Sequence, residues 1–327
     1  MSRLRLSLAC GEYEITRALV DGDVQPDGIE LNVLTQDKER IFRLDRRGEC
    51  DVAEFNIVQY LKAREAGAPL TALAVFPHRR FRHGSIYVRR DSGITSVADL
   101  EGQPVGIGGF EPAAAVWIRG ILQEHHGLRL DAVDWQDVFG SFGRLPDGQA
   151  DALRPDDTAA RHRIDDLLAE GALQASVSAY APPQFLAGDP SIVRLFSDYA
   201  RVERAYYAKA SIFPVMHIIT IDQDVLDGNP WVAASLFDAF ARARRQAMTR
   251  LRNPRALPLA FVQTAWEEQD ALLGSDPWRY GLTDANRRAV ECIVRYAHEQ
   301  KITRSRPDVD ELFVAMDPEP SGLTTIV

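Results

Sequence analysis

The sequence predicts an α/β protein of two lobes. Segments with strand pattern alternate with segments of helical pattern, several strands end in polar or glycine-rich breaks, and 327 residues is long for one hydrophobic core. Polar breaks at strand ends matter because open α/β sheets bind ligands at the carboxyl ends of their strands.

Composition narrows the function classes. The formal net charge is -9, which argues against general binding to nucleic acid or an anionic membrane and leaves small molecules as the expected partners. Basic charge is nearly all arginine, Lys38, Lys62, Lys209 and Lys301 being the only lysines, so an abundance of Arg carries little weight by itself. Cys10, Cys50 and Cys292 are odd in number and lack CxxC spacing, which argues against a disulfide framework or a structural zinc site and fits a reducing compartment. The first ten residues hold an apolar run too short for an export signal and broken by Arg5. No stretch approaches the roughly 18 apolar residues of a membrane span. A soluble cytoplasmic protein with no membrane partner is expected, with self-association left open.

In chain order, residues 4–9 alternate as a strand and break at Cys10-Gly11-Glu12-Tyr13. A second strand covers 29–34, an amphipathic helix is predicted over 37–47 with Gly48 as its stop, and 51–56 reads as a short strand leading into a helix over 57–66. Residues 70–76 are a buried strand. The stretch 76–90 then reads as a basic, aromatic-laced turn, with His78, Arg79, Arg80, Arg82 and His83, feeding a strand over 86–88. A strand at 104–107 ends in Gly108-Gly109-Phe110-Glu111, and Pro112 opens a helix that Gly127 stops; a glycine-flanked helix start is a seat for an anion. The glycines there do not make a dinucleotide fingerprint, and His125-His126 read as a helix C-terminus rather than a metal site. Strands follow at 133–139 and through 177, and residues 193–196 and 200–207 lead on toward Pro214. Residues 140–163 read as surface loop with some helix near the end. The apolar strand beginning after Pro214 contains His217, helices cover 229–251, 259–273 and 283–298, and the tail beyond Phe313 reads as loose.

Several segments together resemble the 4,5-dihydroxyphthalate decarboxylase family, a branch of the type II periplasmic-binding-protein-like fold. They are 6–13 with Thr16-Arg17-Ala18-Leu19, Asp51-Val52-Ala53-Glu54, Phe81-Arg82-His83 with Ile86-Tyr87-Val88, 115–122, 202–206, Ile212-Phe213-Pro214-Val215-Met216-His217, Asn229-Pro230-Trp231 and Trp278-Arg279-Tyr280-Gly281-Leu282. The chain departs from the family pattern at Glu12, at Ile15, within 140–163 and at Ala172-Leu173-Gln174-Ala175. The resemblance implies two α/β lobes, 1–87 plus 218–327 and 88–217, joined by two crossover strands with the ligand cleft between them. It also implies non-oxidative decarboxylation of a dihydroxylated aromatic carboxylic acid, with that small-molecule aromatic carboxylate as partner.

Loss of CO2 from an electron-rich ring needs a proton delivered to the carbon that bears the carboxylate, and cationic seats for carboxylates. On the resemblance, His83 and Glu12 are assigned as the proton-handling pair, with His217 as a further polar contact to a ring hydroxyl. Arg82 and Arg119 are the carboxylate candidates, Tyr13 and Trp117 the ring contacts, and Arg17, Glu54 and Asn56 complete the expected substrate-binding set. Arg79, Arg80, Arg89 and Arg90 are assigned to surface charge. No cofactor is expected, and no HExxH, HxH or paired-carboxylate spacing points to a metal; a catalytic divalent ion stays open, because His83, His217, Glu12 and Glu54 could gather only through folding. A small-carboxylate binding protein without chemistry, or another enzyme of this fold such as a dehydratase or synthase, are the alternatives.

Overall fold

Strand β1 (Leu4–Ala9) forms where its alternation predicts it, burying Leu6 and Leu8 while Arg5 points to solvent, and it is followed by β2 (Ile29–Leu34), β3 (Val52–Asn56) and β4 (Leu70–Arg79). Then come β5 (Ile86–Arg89), β6 (Pro104–Ile107), β7 (Asp134–Asp137), β8 (Ala175–Val177), β9 (Ile192–Arg194) and β10 (Val215–Asp222). The structure, a computed structural model, describes residues 3–34, 50–138 and 157–320. The helix expected over 37–47 and most of the loop expected over 140–163 lie outside the described residues.

The chain divides into two units, Met1–Arg80 with Ala210–Cys292 and Ser305–Val327, and Phe81–Lys209 with Ile293–Arg304. Each is built on a five-stranded mixed sheet. In the first the order is β2-β1-β3-β10-β4, with β1 parallel to β2 and β3, and β10 antiparallel to β3 and β4. In the second it is β7-β6-β8-β5-β9, with β6 parallel to β7 and β8, and β5 antiparallel to β8 and β9. Among the described residues no helix is long and apolar enough to cross a membrane.

Two expectations need correction. The basic stretch is not all turn: β4 continues through Pro77 and His78 to Arg79. Its pairing with β10 is irregular there, for His217 stands opposite His78 while Ile219 stands opposite Leu73, so residues 74–77 face Ile218 alone. A proline is tolerated in such a stretch because its missing N–H is not needed for the ladder. Arg79 is buried rather than surface charge, giving Nη1 to Asn286 Oδ1 (2.7 Å) and Nη2 to the Phe213 carbonyl (2.7 Å). Residues 314–320, the part of that tail among the described residues, are held as well. Val314 N–H bonds the Ala72 carbonyl (2.8 Å), and the Glu319 carboxylate is buried against Arg244 (3.0 Å) and Arg245 (2.9 Å).

In the second unit the Ala113–His126 helix packs its apolar body under the sheet, where Val116, Ile118 and Leu122 are buried. Trp117 is core, edge-on to Tyr296 at 5.6 Å, and Gly120 passes so close to that ring that a Cβ would stand 2.2 Å from it. At the helix's other end His126 meets His83, which is 2% exposed in a nest with Phe196 and Tyr206, ring centroids 5.3 to 5.7 Å away. Among the described residues neither His83 ring nitrogen has a hydrogen-bond partner. Burial, with His126 and His125 adding like charge, pushes His83 down to about 4, and burial lowers His125 and His126 too, against Glu124 beside His125 and with Lys209 near both.

The nest should therefore make the protein acid-sensitive. Above pH 6.5 His83 is neutral folded or unfolded; between 6.5 and about 4 the unfolded chain binds a proton that the fold refuses, so stability falls as the pH falls. His83 alone contributes a loss on the order of 3 kcal/mol across that window. The melting temperature should drop between pH 7.5 and 5, and His83→Phe should flatten the slope; an equal slope in the variant would refute this account.

Candidate active site at the strand ends of the first unit

The carboxyl ends of β1 and β3 lie side by side, Ala9 opposite Ala53, which brings Cys10 and Gly11 beside Glu54. On the other flank of β3 the antiparallel ladder sets His217 opposite Asn56 and Ile219 opposite Glu54, so Glu54 and His217 are diagonal neighbours on one face. β10 is the strand that runs against the others, and it delivers its first turn of side chains where its neighbours end.

Glu54 is fully buried and surrounded by donors. Its Oε2 accepts the Gly11 N–H (2.7 Å), with the Cys10 thiol at 3.8 Å. Its Oε1 accepts the Tyr13 hydroxyl (2.5 Å) and bonds His217 Nδ1. Burial by itself pushes the carboxyl up, but the charge and hydrogen bond of His217, the Tyr13 hydroxyl and the Gly11 N–H outweigh it and hold Glu54 below its ordinary value. The carboxylate is therefore ionised and only accepts. Both Tyr13 O–H and His217 Nδ1–H must donate to it, so Nδ1 is the protonated nitrogen of His217 when the ring is neutral. Burial and the Glu54 charge push the Cys10 thiol well up, so it stays protonated. Gly11 is needed for this closeness, since a Cβ there would stand 3.0 Å from both Glu54 Oε2 and the Tyr13 ring.

The expected residues separate into those this site gathers and those it does not. Tyr13, Glu54 and His217 meet. Asn56 lies on the same face, and its side chain caps the Ile57–Glu65 helix by accepting Val58 N–H (3.1 Å) and Gln59 N–H (3.4 Å). Glu12 is exposed, and Arg17 is an exposed helix residue ion-paired with Glu14 (3.6 Å) and Asp21 (4.0 Å). One residue not anticipated joins the group: His78 stacks on Tyr13 (5.8 Å, 27°) and stands edge-on to His217 (4.8 Å, 74°). Extending β4 to Arg79 in the sequence would have found it, because His78 opposes His217 in the ladder.

Arg82, His83, Trp117 and Arg119 belong to the second unit. Arg82 is buried with Nη1 on the Ala179 carbonyl (3.4 Å). Arg119 is buried under the ring of Phe110 (4.9 Å) and gives its donors to the Phe110 and Ala115 carbonyls, back toward the start of the Ala113–His126 helix. Burial pushes it down to about 10, with the Asp137 charge opposing. His83 packs at the far end of that helix, eleven residues or about 16 Å along the axis from Ala115 to His126. Among the described residues no group of three or more His, Cys, Asp or Glu side chains is gathered to hold a metal ion.

Known proteins resemble this chain over most of its length. A family model described as NMT1/THI5 like matches residues 25–158. A Comamonas testosteroni protein named 4,5-dihydroxyphthalate decarboxylase is 33% identical, covering 96% of this chain and 97% of that one. A Pseudomonas putida protein of the same name is 39% identical over 207 residues, 61% of this chain and 79% of its own length. The periplasmic aliphatic sulphonate binding protein SsuA from Escherichia coli superposes with a TM-score of 0.57 at 12% identity, covering 95% of this chain and 98% of that one, and shows the fold alone. With two α/β units of that fold, and a relative one-third identical from end to end, the chain belongs to the 4,5-dihydroxyphthalate decarboxylase family.

Proposed function

We propose that this protein is a carboxy-lyase that removes CO2 from a dihydroxylated aromatic acid of the 4,5-dihydroxyphthalate type by protonating the ring. The observation that carries this reading is the buried, ionised Glu54 bound to His217 Nδ1, in a chain whose relatives are named for that reaction. A carboxylate on one ring nitrogen fixes the orientation of the imidazole, stands beside the charge of its protonated form and leaves the other nitrogen to act.

His217 in its protonated form gives the Nε2 proton to the ring carbon bearing the carboxylate, and a hydroxyl para or ortho to that carbon spreads the positive charge. The bond to the carboxylate then breaks, its electrons return to the ring, and CO2 leaves with hydrogen in its place. Tyr13, already tied to Glu54 and flanked by His78, contacts the ring or its hydroxyls. His83 is set apart from this role because its ring is neutral at pH 7 and a neutral imidazole in an apolar nest has little proton to give. Arg119 is assigned to carboxylate recognition. A buried guanidinium bonded to carbonyls at a helix start puts two positive features together, which favours an anion there.

The purified protein should release CO2 from 4,5-dihydroxyphthalate or a related dihydroxylated benzene carboxylate and, in D2O, leave deuterium at the vacated ring carbon. Binding with no CO2 would overturn the proposal in favour of a carboxylate-binding protein, and indifference to every aromatic acid would favour another reaction on this fold. His217→Gln should lower kcat about 100- to 10,000-fold with the fold intact, and Glu54→Gln should lower it as well by removing the charge that His217 faces. Retained turnover in His217→Gln would sink the assignment. Arg119→Gln should act on KM, raising it about tenfold or more, with Arg119→Lys only partly restoring it because an ammonium lacks the planar fork; an unchanged KM would remove Arg119 from substrate recognition.

A further inference from the structure

The irregular stretch of β4 that sets His78 against His217 is held from outside the sheet. Its Ala74 carbonyl accepts the Gly281 N–H (2.8 Å), and two residues past Pro77 the Arg79 guanidinium is fastened to Asn286 Oδ1 (2.7 Å) and the Pro277 carbonyl (3.1 Å). The segment 276–286 is thus the clamp on β4. Asn286 completes it by donating to the Arg279 and Gly281 carbonyls (2.8 and 2.7 Å). Arg79 also reaches the Phe213 carbonyl just before β10, so one side chain fixes both strands that carry the histidines.

The clamp is in turn held by the chain's last described residues. Glu319 Oε2 accepts the Tyr280 N–H (2.8 Å), the Glu319 carbonyl accepts Arg279 Nε (2.5 Å), and Gly281, at φ +91°, lies so near Pro318 that a Cβ would stand 2.4 Å from its Cα. Arg244 and Arg245 grip the same carboxylate, and Arg244 keeps Asp276 (2.5 Å) as a second partner. Four donors on one buried carboxylate is far more than a loose tail needs, and the segment they stabilise is the one that shapes β4.

We propose that Glu319 is a positioning residue for the His78–His217–Glu54 group: it locks the clamp onto β4 and so sets where the two histidine rings stand. The inference rests on the reading of this group as the active site for its effect on turnover, but its effect on the histidines is independent of that reading. The test compares Glu319→Gln and Glu319→Ala, with Gly281→Ala acting at the other side of the contact, in the full chain. Arg244 keeps Asp276, so the glutamine variant retains a partner for each buried charge. The side-chain nitrogen signals of His78 and His217 are followed by NMR through a pH titration, beside kcat and KM.

In all three variants the signals of both histidines should shift and the pH midpoint of kcat should move, while His83 signals stay in place. Activity should fall about 10- to 100-fold in kcat, the scale of a misplacement near 1 Å, with KM changed less than threefold and glutamine milder than alanine. Unmoved histidine signals and an unmoved pH profile in folded variants overturn the proposal. So does loss of activity with those signals unchanged. If the wild-type protein releases no CO2 from any aromatic acid, the proposed reaction fails, and the histidine signals still decide this one.

Discussion

Everything at the strand ends of the first unit depends on one buried charge. Glu54 has no exposed surface, and a carboxylate so placed is costly unless its oxygens are filled by donors. The fold supplies them from separate segments: a backbone N–H where β1 ends, a hydroxyl two residues on, and an imidazole from the strand that runs the opposite way. Removing any one donor leaves part of the charge unsatisfied, so Gly11, Tyr13 and His217 are bound to one another's positions through it. The same contact fixes which His217 nitrogen faces the carboxylate, and with it the orientation of the imidazole.

The second constraint is that β10 must hold His217 against Glu54 on one side while meeting His78 on the other. A regular ladder between β10 and β4 would pair Ile219 two residues from His78; instead it pairs with Leu73, and three extra residues are taken up between. Such local departures gather at functional sites and need support from elsewhere, because they give up ladder hydrogen bonds. Here the freed Ala74 carbonyl finds the Gly281 N–H, and the support for Gly281 continues to Glu319. The same chain of contacts explains the run Trp278-Arg279-Tyr280-Gly281. Its glycine is required by a positive φ and by Pro318, and its arginine and tyrosine backbone meet the last described residues.

Much of the fold was legible in the sequence because strand alternation and helix stops are local. β1 and β2 lie within the bounds that alternation draws, and the helix opened after Pro112 ends at Gly127, at φ +73°. Glu54 and His217 were legible as strand-end residues, but their pairing was not: they are 163 residues apart, and register between β3 and β10 is set by the whole sheet. Pro77 concealed His78, since a proline without its N–H reads as the end of a strand. Arg79 and the tail that carries Glu319 differ from their sequence reading for a shared reason. A charged residue in a basic run or near a terminus reads as solvated, and only distant partners, Asn286 and Arg244, reveal that it is buried.

Two buried ions in this chain are satisfied in opposite ways, and the difference bears on function. Glu54 meets donors that carry or share positive charge, so its own charge is balanced within the protein and its task is to hold a neighbour in place. Arg119 gives its hydrogen bonds to neutral carbonyls, at a helix end whose dipole has the same sign, and burial lowers its hold on its proton. Asp137 acts on it only as a nearby charge, with no ion pair closing the gap among the described residues. Hydrogen bonds to carbonyls meet the geometry of a guanidinium without cancelling its charge, so an anion arriving there gains more than it would at a paired arginine.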